Sequence, residues 1–395
     1  MKKNLLYNGE YCVTQGLFWM TLCTVISYAA LFLQRRGYTS SETGVIMALA
    51  SALSFLLQPT VAALADRSRK VSLMGIISAI SGVMICGMAA VILIPGRNIA
   101  VGICYGVYFC CIYLMMPFIN AFAGMLSSWG LKVNFGIARG VGSLSYALLS
   151  LVLGELIEKY SPNVLPATGI IFSLMLVAMM VLFTRQYRSN AAEFTPPSKD
   201  RSRSLMAFLK SDKRFALTLV GIGLTYFSHT AFTNFLINVV ENVGGGSGEM
   251  GVCGFIAAMV ELPPMFLFMK MVKKVRCSSL LKLSCAMFSV KMFLCAVAPS
   301  VPLLYVAQTV QMIAFGLYIP ASVQYVNEVV APADRFKGQA LVTGVTTLSG
   351  IVASLVSGIM LDNLGVTATM LVSAAVSALG AVIVIPAAAK TKVHE

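Results

Sequence analysis

Charge is scarce in this chain of 395 residues. Only 11% of its residues are charged and 58% are hydrophobic, and its mean hydropathy is +0.84. In soluble globular domains about a quarter of the residues are charged. The composition therefore excludes an ordinary soluble domain and predicts that most of the chain lies in a membrane.

Motifs of several function classes are missing as well. The chain has no phosphate-binding loop of the G-x-x-x-x-G-K-[ST] type, which argues against an ATP-driven pump. No His/Cys cluster has the spacing of a metal site, no helix carries regularly spaced arginines, and no nucleophile–base set of an enzyme is visible. We therefore predict no catalysis, no metal and no other cofactor. Energy must come from a gradient, unless transport is downhill.

The ten cysteines lie mostly within apolar runs, and no pair falls in a predicted exterior loop. This argues against a disulfide framework and indicates small buried side chains. The N-terminal residues lead into a full-length apolar run without a small-residue cleavage site, which predicts a first membrane helix and not a cleaved signal peptide.

The apolar runs have the length of membrane-spanning helices, about 20 residues. They lack the alternation over about 10 residues that marks barrel strands. The sequence predicts an all-α membrane protein with twelve transmembrane helices in two pseudo-symmetric six-helix halves. The predicted spans are 11–33, 42–65, 73–94, 99–126, 137–157, 164–184, 215–240, 250–271, 279–298, 302–327, 339–361 and 365–388.

The net charge of +14 reflects topology and not a nucleic-acid partner. With the N-terminus in the cytoplasm, cytoplasmic segments hold 22 of the 29 Lys and Arg residues, which is the positive-inside pattern. We predict a multi-pass protein of the cytoplasmic (plasma or inner) membrane with both termini in the cytoplasm. The other seven cations are Arg35, Arg36, Arg97 and Lys159 outside, and Arg139, Lys282 and Lys291 within or near spans.

One long hydrophilic stretch, 185–214, contains Pro196-Pro197 and mixed charges and predicts a cytoplasmic linker. It separates an N-terminal half, 1–184, from a C-terminal half, 215–395. Short matches support a duplication: Ser41–Val45 aligns with Gly248–Val252 at an offset of 207, and Phe135-Gly136 has a counterpart before span eleven at about 201. Parallel halves of this kind describe the major facilitator architecture.

Glu261 lies near the middle of the apolar run 250–271, followed by Pro263-Pro264. A carboxylate at that depth costs about 2.5–3.5 kcal/mol and marks a substrate or proton pathway. Proline lacks a backbone N–H, so we expect an interrupted helix beside the acid. Glu261 is the leading candidate for proton coupling; a structural ion pair is the alternative.

Lys291 and His229 are the other titratable candidates for proton coupling. At about 1.5 Å per residue, Lys291 lies about 10 Å deep and Glu261 on the order of 15 Å deep, so Lys291 can supply a cation to the acid. Snorkelling of Lys291 to the surface is the alternative. His229 titrates near neutral pH if unperturbed; a hydrogen-bonded core histidine is equally compatible.

Polar residues in other spans suit binding of a polar, neutral solute. Arg139 opens span five, where a topological, snorkelled arginine is the alternative. For Asp66, Arg67, Arg69 and Lys70, in the turn after span two, we predict conformational gating through charge contacts. The predicted solute-binding residues are Asn120, Arg139, Tyr113, Glu261, Gln311 and Asn234.

These residues resemble those of the major facilitator superfamily over essentially the whole chain, and within it the lactose-permease-like proton symporters. Asn134–Gly140 is similar to that group's entry to span five, which implies that Arg139 contacts solute. Asp66–Lys70 resembles the superfamily's loop between spans two and three. Met259–Leu262 resembles the span-eight acid that binds sugar and couples protons, and Ser289–Lys291 a span-nine arginine site with lysine substituted.

The chain also departs from that group's pattern. Asn120 stands where the group has its sugar-binding acid, Gln311 stands at its span-ten histidine, and Ala314 lies near the next carboxylate. The aspartates that the group has in span seven are absent here, and Phe227 and Thr230 lie near the corresponding positions. Galactoside specificity therefore does not carry over, and Glu261 must do more of any coupling.

We thus predict a monomeric secondary transporter that works by alternating access. It would take up a small polar solute, such as a sugar or nucleoside, with a proton; solute binds between the halves. One rival is proton-driven efflux of amphipathic compounds, favoured by 23 Met residues, because Met-rich surfaces suit promiscuous binding. A second rival is a solute sensor without flux.

Overall fold

The computed structural model describes residues 2–67, 72–128, 131, 133–188 and 212–392. The regular structure in these residues is helical, which suits membrane segments because a helix satisfies its backbone polar groups without water. The chain divides into two compact units, Met1–Ser198 and Lys199–Glu395. Their boundary falls in the predicted linker, most of which is outside the described residues, so the domain limits 1–184, 185–214 and 215–395 stay predictions.

The first unit follows the predicted order of spans, but its first span is bent and not straight. Residues Leu6–Ser27 and Ala29–Arg35 meet at 45°, because Tyr28 leaves helical geometry at φ −103° and ψ 12°. The elements are α1 (Lys2–Leu22), a π-helical turn (Cys23–Ser27), α2 (Ala29–Arg35), α3 (Ser40–Arg67), α4 (Leu73–Leu93), α5 (Ile99–Ser128), α6 (Phe135–Lys159) and α7 (Val164–Arg188).

The second unit has two interrupted spans. The seventh predicted span of the chain breaks at Phe235, and the tenth breaks after Thr309. The elements are α8 (Lys213–Asn234), α9 (Leu236–Asn242), α10 (Ser247–Met271), α11 (Cys277–Val297), α12 (Val301–Thr309), a 3₁₀ turn (Val310–Met312), α13 (Phe315–Val329), a 3₁₀ turn (Pro332–Asp334) and α14 (Arg335–Ala387).

Helix α14 covers the last two predicted spans, 339–361 and 365–388. Its 53 residues contain one non-helical residue, Gly365, at φ 79° and ψ 177°, a backbone conformation that glycine adopts without steric cost. Among the described residues, ten helices are long and apolar enough to cross a membrane, or eleven with the bent first span. These counts take α14 as one helix, so the number twelve stays a prediction.

The breaks in the first and seventh spans support the duplication. Tyr28 and Phe235 are 207 residues apart, the same offset at which the sequence aligns Glu42 with Glu249. Phe235 has φ −116° and ψ 29°, close to the values of Tyr28. Both units therefore interrupt the helix of their first span at the same repeat position.

The aligned acids also have the same role in both units. The backbone N–H of Thr39 donates to Glu42 Oε2 at 2.9 Å, and that of Gly246 donates to Glu249 Oε2 at 2.7 Å. Each carboxylate thus satisfies a free N–H at the start of a helix, as in a capping box. The motif that suggested the repeat in the sequence is a helix-start signal.

Glycines let α8 and α14 approach with their backbones almost in contact. A Cβ on Gly380 would lie 2.6 Å from the carbonyl oxygen of Gly221 and 2.8 Å from the amide nitrogen of Thr225. Because backbone atoms cannot move aside as a flexible side chain does, we expect Gly380→Ala to lower the free energy of unfolding by about 1–3 kcal/mol. Thermal melting of the purified protein in detergent measures this.

Gly344 provides the matched control, since a Cβ there would meet nothing within 4 Å. Gly344→Ala is expected to raise the free energy of unfolding by up to about 1 kcal/mol, because alanine is the better helix former and its Cβ meets nothing. Equal melting temperatures for the two variants would contradict the close approach of α8 and α14.

Candidate functional site

Glu261 lies half-buried in the middle of α10. Its Oε1 accepts a hydrogen bond from Gln311 Nε2 at 2.8 Å. The helix runs through Pro263 and Pro264 without interruption, so the expected break beside the acid is wrong. Prolines are tolerated in membrane helices because neighbouring groups and local adjustments compensate for the lost bond.

The break lies instead on the facing segment, the tenth predicted span, which we expected to be continuous over 302–327. Helix α12 ends at Thr309, a 3₁₀ turn follows, and α13 begins at Phe315. Ala314, at φ −70° and ψ −84°, leaves the helical path. Its carbonyl accepts a hydrogen bond from Ser284 Oγ on α11 at 2.6 Å, in addition to the backbone N–H of Tyr318 at 3.2 Å.

The start of α13 packs directly on the backbone of α10 at the acid. A Cβ on Gly316 would lie 2.9 Å from Glu261 Cα and 3.2 Å from the Glu261 carbonyl oxygen, and 3.0 Å from Pro264 Cγ. Only glycine permits this approach without a shift. The break in the tenth span and the acid are thus in backbone contact.

Gln311, on the 3₁₀ turn, joins a cation to the acid. Lys291 Nζ donates to Gln311 Oε1 at 2.6 Å, and Gln311 Nε2 donates to Glu261 Oε1. An amide has one acceptor oxygen and one donor nitrogen, so both ends of Gln311 are used, each towards a group of suitable charge. We call Lys291, Gln311 and Glu261 the polar chain.

Lys291 is 1% exposed, so the alternative in which it snorkels to the surface is wrong. Its Nζ lies 4.5 Å from the centroid of the Phe232 ring, a cation–π distance. The ring and the Gln311 oxygen offset part of the cost of burying this charge. Lys291 therefore faces the unit's interior, next to the acid.

His229 lies among aromatic rings and not in the polar chain. Its ring stacks on Phe315 with centroids 4.2 Å apart and planes at 14°, and it packs edge-on against Tyr226 and Phe288. Nδ1 is buried without a hydrogen-bond partner among the described residues. Its predicted role in proton coupling stays a prediction, and the hydrogen-bonded core histidine is not what the structure has.

In the first unit, Gln15 connects polar groups of two predicted spans, the first and the fourth. Gln15 Nε2 donates to Tyr11 Oη at 2.8 Å and lies 3.4 Å from Asn120 Oδ1, while Trp19 Nε1 donates to Gln15 Oε1 at 3.3 Å. Asn120 is exposed, so part of its amide remains accessible to a solute. Our prediction included Asn120 and missed Gln15, although a glutamine inside an apolar run is a visible signal.

Arg139, on α6, stacks on the same tryptophan. Its Cζ lies 3.7 Å from the centroid of Trp19, and Nη1 donates to Ser143 Oγ at 2.6 Å. Trp19 also contacts Gly142, where any side chain would collide with the indole. The guanidinium is thus fixed by an aromatic face and a hydroxyl, and it is half-buried.

The remaining predicted residues lie apart from these two networks. Tyr113 packs its ring 5.3 Å from that of Phe109. Asn234 is buried and donates to Ser354 Oγ at 2.8 Å. Of the gating residues, Arg69 and Lys70 are outside the described residues, and Asp66 and Arg67 are described only as the end of α3. Their roles stay predictions.

Comparisons with known proteins agree on a transporter. A family model described as "MFS_1 like family" matches residues 14–372. The uncharacterized transporter YwbF of Bacillus subtilis (strain 168) is 21% identical over 332 residues, which are 82% of this chain and 80% of YwbF.

Two solved structures illustrate the likeness in fold. The nucleoside transporter NupG has a TM-score of 0.78 at 13% identity, covering 98% of this chain and 99% of its own. An auto-inhibited POT family peptide transporter has a TM-score of 0.75 at 10% identity, covering 96% of both chains. At such identities the likeness extends to the fold alone.

Proposed function

Because the chain belongs to the MFS_1 like family, a family of transporters whose model covers residues 14–372, we propose that it takes up a small polar solute together with a proton. The chain is a multi-pass membrane transporter. The proton, the solute class, the monomeric state, the cytoplasmic membrane and the cytoplasmic termini belong to the proposal. So does the narrower resemblance to lactose-permease-like symporters.

The observation that carries the proposal is the polar chain. A carboxylate within an apolar span accepts a proton at low cost only if both of its charge states are accommodated. With Glu261 ionised, Lys291 balances its charge and Gln311 Nε2 binds it. With Glu261 protonated, the carboxyl remains half-buried and carries no charge that the membrane interior would penalise.

Gln311 gives a reason for proton and solute to move together. Its Nε2 is held by the Glu261 carboxylate, and hydrogen bonds to ionised groups are roughly twice as strong as neutral ones. Protonation of Glu261 weakens that bond and releases a donor for an acceptor oxygen of the solute. Solute then binds best to the protonated protein, which is the linkage that symport requires.

The described polar residues favour a neutral solute rich in hydroxyl or amide groups. In the second unit, Gln311 Nε2 becomes available as a hydrogen-bond donor to the solute once Glu261 is protonated. In the first unit Asn120 is exposed and Arg139 is half-buried, so both can reach a solute. A sugar or a nucleoside fits these groups, and NupG transports nucleosides on a similar fold.

The first experiment measures proton entry into proteoliposomes that contain a pH-sensitive dye. We expect one member of a panel of sugars and nucleosides to drive proton entry with the wild-type protein. Liposomes without protein and a peptide panel are the controls. Proton exit on addition of amphipathic compounds would favour efflux, and binding without flux of any solute would favour a sensor; either result would contradict the proposal.

A further inference from the structure

A group of cations lies at one end of the second unit, where α10 meets α11. Lys270, Lys273, Lys274 and Arg276 are all exposed there. The connection between the two helices is only 272–276, so these cations lie at the ends of membrane spans, at the depth of lipid headgroups.

The chain's C-terminal segment adds two more cations to this group. After α14 ends, Thr391 Oγ1 accepts a hydrogen bond from the Ser278 N–H at 2.9 Å, and Ser278 Oγ accepts one from the Thr391 N–H at 3.2 Å. This reciprocal pair holds Lys390 and Lys392, both exposed, beside the first turn of α11. The backbone N–H of Ala389 donates to a second anchor, a tyrosine hydroxyl of α13, at 2.9 Å.

In the part of the chain that the structure describes, few acidic residues lie near these six cations. The sequence has no Asp or Glu over 262–327 or 363–394. Among the described residues, Glu328 acts electrostatically on Cys277, beside this end of the unit, and Asp212 acts on the same tyrosine hydroxyl. One oxygen of Glu328 already accepts a bond from Gln324 at 2.9 Å. Counted over the described residues, the site therefore keeps a positive excess.

Exposed apolar side chains line the same helices on the membrane side of the cations. Phe266 and Met269 on α10 are 67% and 65% exposed, and Val382 near the end of α14 is 65% exposed. Leu283 on α11 is also exposed. A phospholipid has an anionic headgroup next to apolar acyl chains, so it can contact both the cations and these apolar side chains. A soluble anion would contact only the cations.

We propose that Lys270, Lys273, Lys274, Arg276, Lys390 and Lys392 form a binding site for an anionic phospholipid of the surrounding leaflet. The docked C-terminal segment completes the site, because the Ser278–Thr391 pair holds two of its six cations beside α11. This site is independent of the proposed solute and proton, and it requires only that the chain spans a membrane.

The test titrates the purified full-length protein in detergent with phosphatidylglycerol or with phosphatidylcholine of the same acyl chains, and counts bound lipid by native mass spectrometry. We expect phosphatidylglycerol to bind at least about tenfold more tightly, and the triple variant Lys273→Gln, Lys274→Gln, Arg276→Gln to lose at least about tenfold of that affinity. Inorganic phosphate at millimolar concentration is expected not to displace the lipid.

Thr391→Val separates a built site from net charge alone, because it removes the hydroxyl anchor and no charge. We expect it to weaken phosphatidylglycerol binding by about threefold or more, since the attraction between a cation and an anionic headgroup falls off within a Debye length and requires Lys390 and Lys392 to stay close. Thr346→Val is the matched control, as that hydroxyl donates to a carbonyl of its own helix, that of Thr343. Unchanged melting temperatures without lipid show that the variants fold.

Three outcomes would overturn the proposal. Equal binding of the two lipids would remove the headgroup preference. Loss of binding in the charge variant but none in Thr391→Val would reduce the site to general surface charge. Displacement by inorganic phosphate would show that the cations bind a free anion and not a lipid.

Discussion

Replacing Glu261 with glutamine is expected to abolish uphill accumulation of solute while exchange of solute across the membrane continues. Glutamine keeps an oxygen that can accept the bond from Gln311 Nε2, and it cannot gain or lose a proton. The solute site therefore survives, but the proton no longer drives the cycle.

The size of the effect follows from the imposed gradient. One pH unit corresponds to about 1.4 kcal/mol, or a tenfold ratio, so a difference of about two units supports up to about 100-fold accumulation by the wild type with one proton per solute. For Glu261→Gln we expect a ratio of about 1 under the same gradient. Proteoliposomes with radiolabelled solute measure both the accumulation and the exchange.

Glu328→Gln is a close control, because Glu328 is also half-buried and also accepts a bond from a glutamine Nε2, that of Gln324 at 2.9 Å. We expect it to accumulate solute like the wild type. If Glu261→Gln also accumulates solute normally, Glu261 has a structural role and the proposed coupling fails.

The second large effect is expected at the other end of the polar chain. Lys291→Met keeps much of the side chain's length and removes the charge, so Gln311 Oε1 loses the donor that lies 2.6 Å away. The half-buried Glu261 carboxylate also loses the cation that balances it. Hydrogen bonds to charged groups contribute about 1.5–3 kcal/mol, and we expect a loss of stability in that range together with loss of uphill transport.

A double variant tests whether the two residues act through one another. If Lys291 serves mainly to balance Glu261, then adding Glu261→Gln to Lys291→Met should recover about 0.5–3 kcal/mol of stability, the range of coupling between residues of one network. Melting temperatures of the four proteins in detergent give this coupling.

Lys282→Met, on the same helix and half-buried, is the control for a general loss of charge. Its effect on stability is expected to stay within about 0.5 kcal/mol. Strictly additive effects of Lys291→Met and Glu261→Gln would show that the polar chain carries no coupling between its ends.

The sequence was sufficient to find the two charged ends of this site. Glu261 and Lys291 are conspicuous because ionisable side chains within apolar runs are expensive. Gln311 was predicted as an uncharged polar residue of the tenth span that suits hydrogen bonding to a neutral solute. That it bonds to both could not be predicted, since it depends on a 3₁₀ turn in a segment, 310–314, without Gly or Pro.

The predicted position of the helix break was wrong because it was inferred from prolines in the local sequence. Pro263-Pro264 is the strongest helix-breaking signal near the site, yet α10 continues through it. The actual break, at Ala314, lies against another helix, whose Ser284 hydroxyl donates to the Ala314 carbonyl. Contacts of this kind between helices cannot be predicted from the local sequence.

In the first unit, the packing partner of Arg139 could not be predicted from the sequence either. Arg139 was predicted from its position at the start of α6, but its contact with Trp19 depends on how α1 and α6 approach at Gly142. A lone glycine indicates that something comes close and does not say what. The tryptophan's role therefore required the structure.

The backbone contact at Gly316 also bears on how fast the site can change. A side chain that blocks a movement can turn away within picoseconds to nanoseconds, whereas shifts of whole helices take microseconds to milliseconds. Since the start of α13 lies against the main chain of Glu261, no rotamer change relieves the contact. Any rearrangement of the break must therefore move helices, and the acid's surroundings are expected to persist for microseconds or longer between such events.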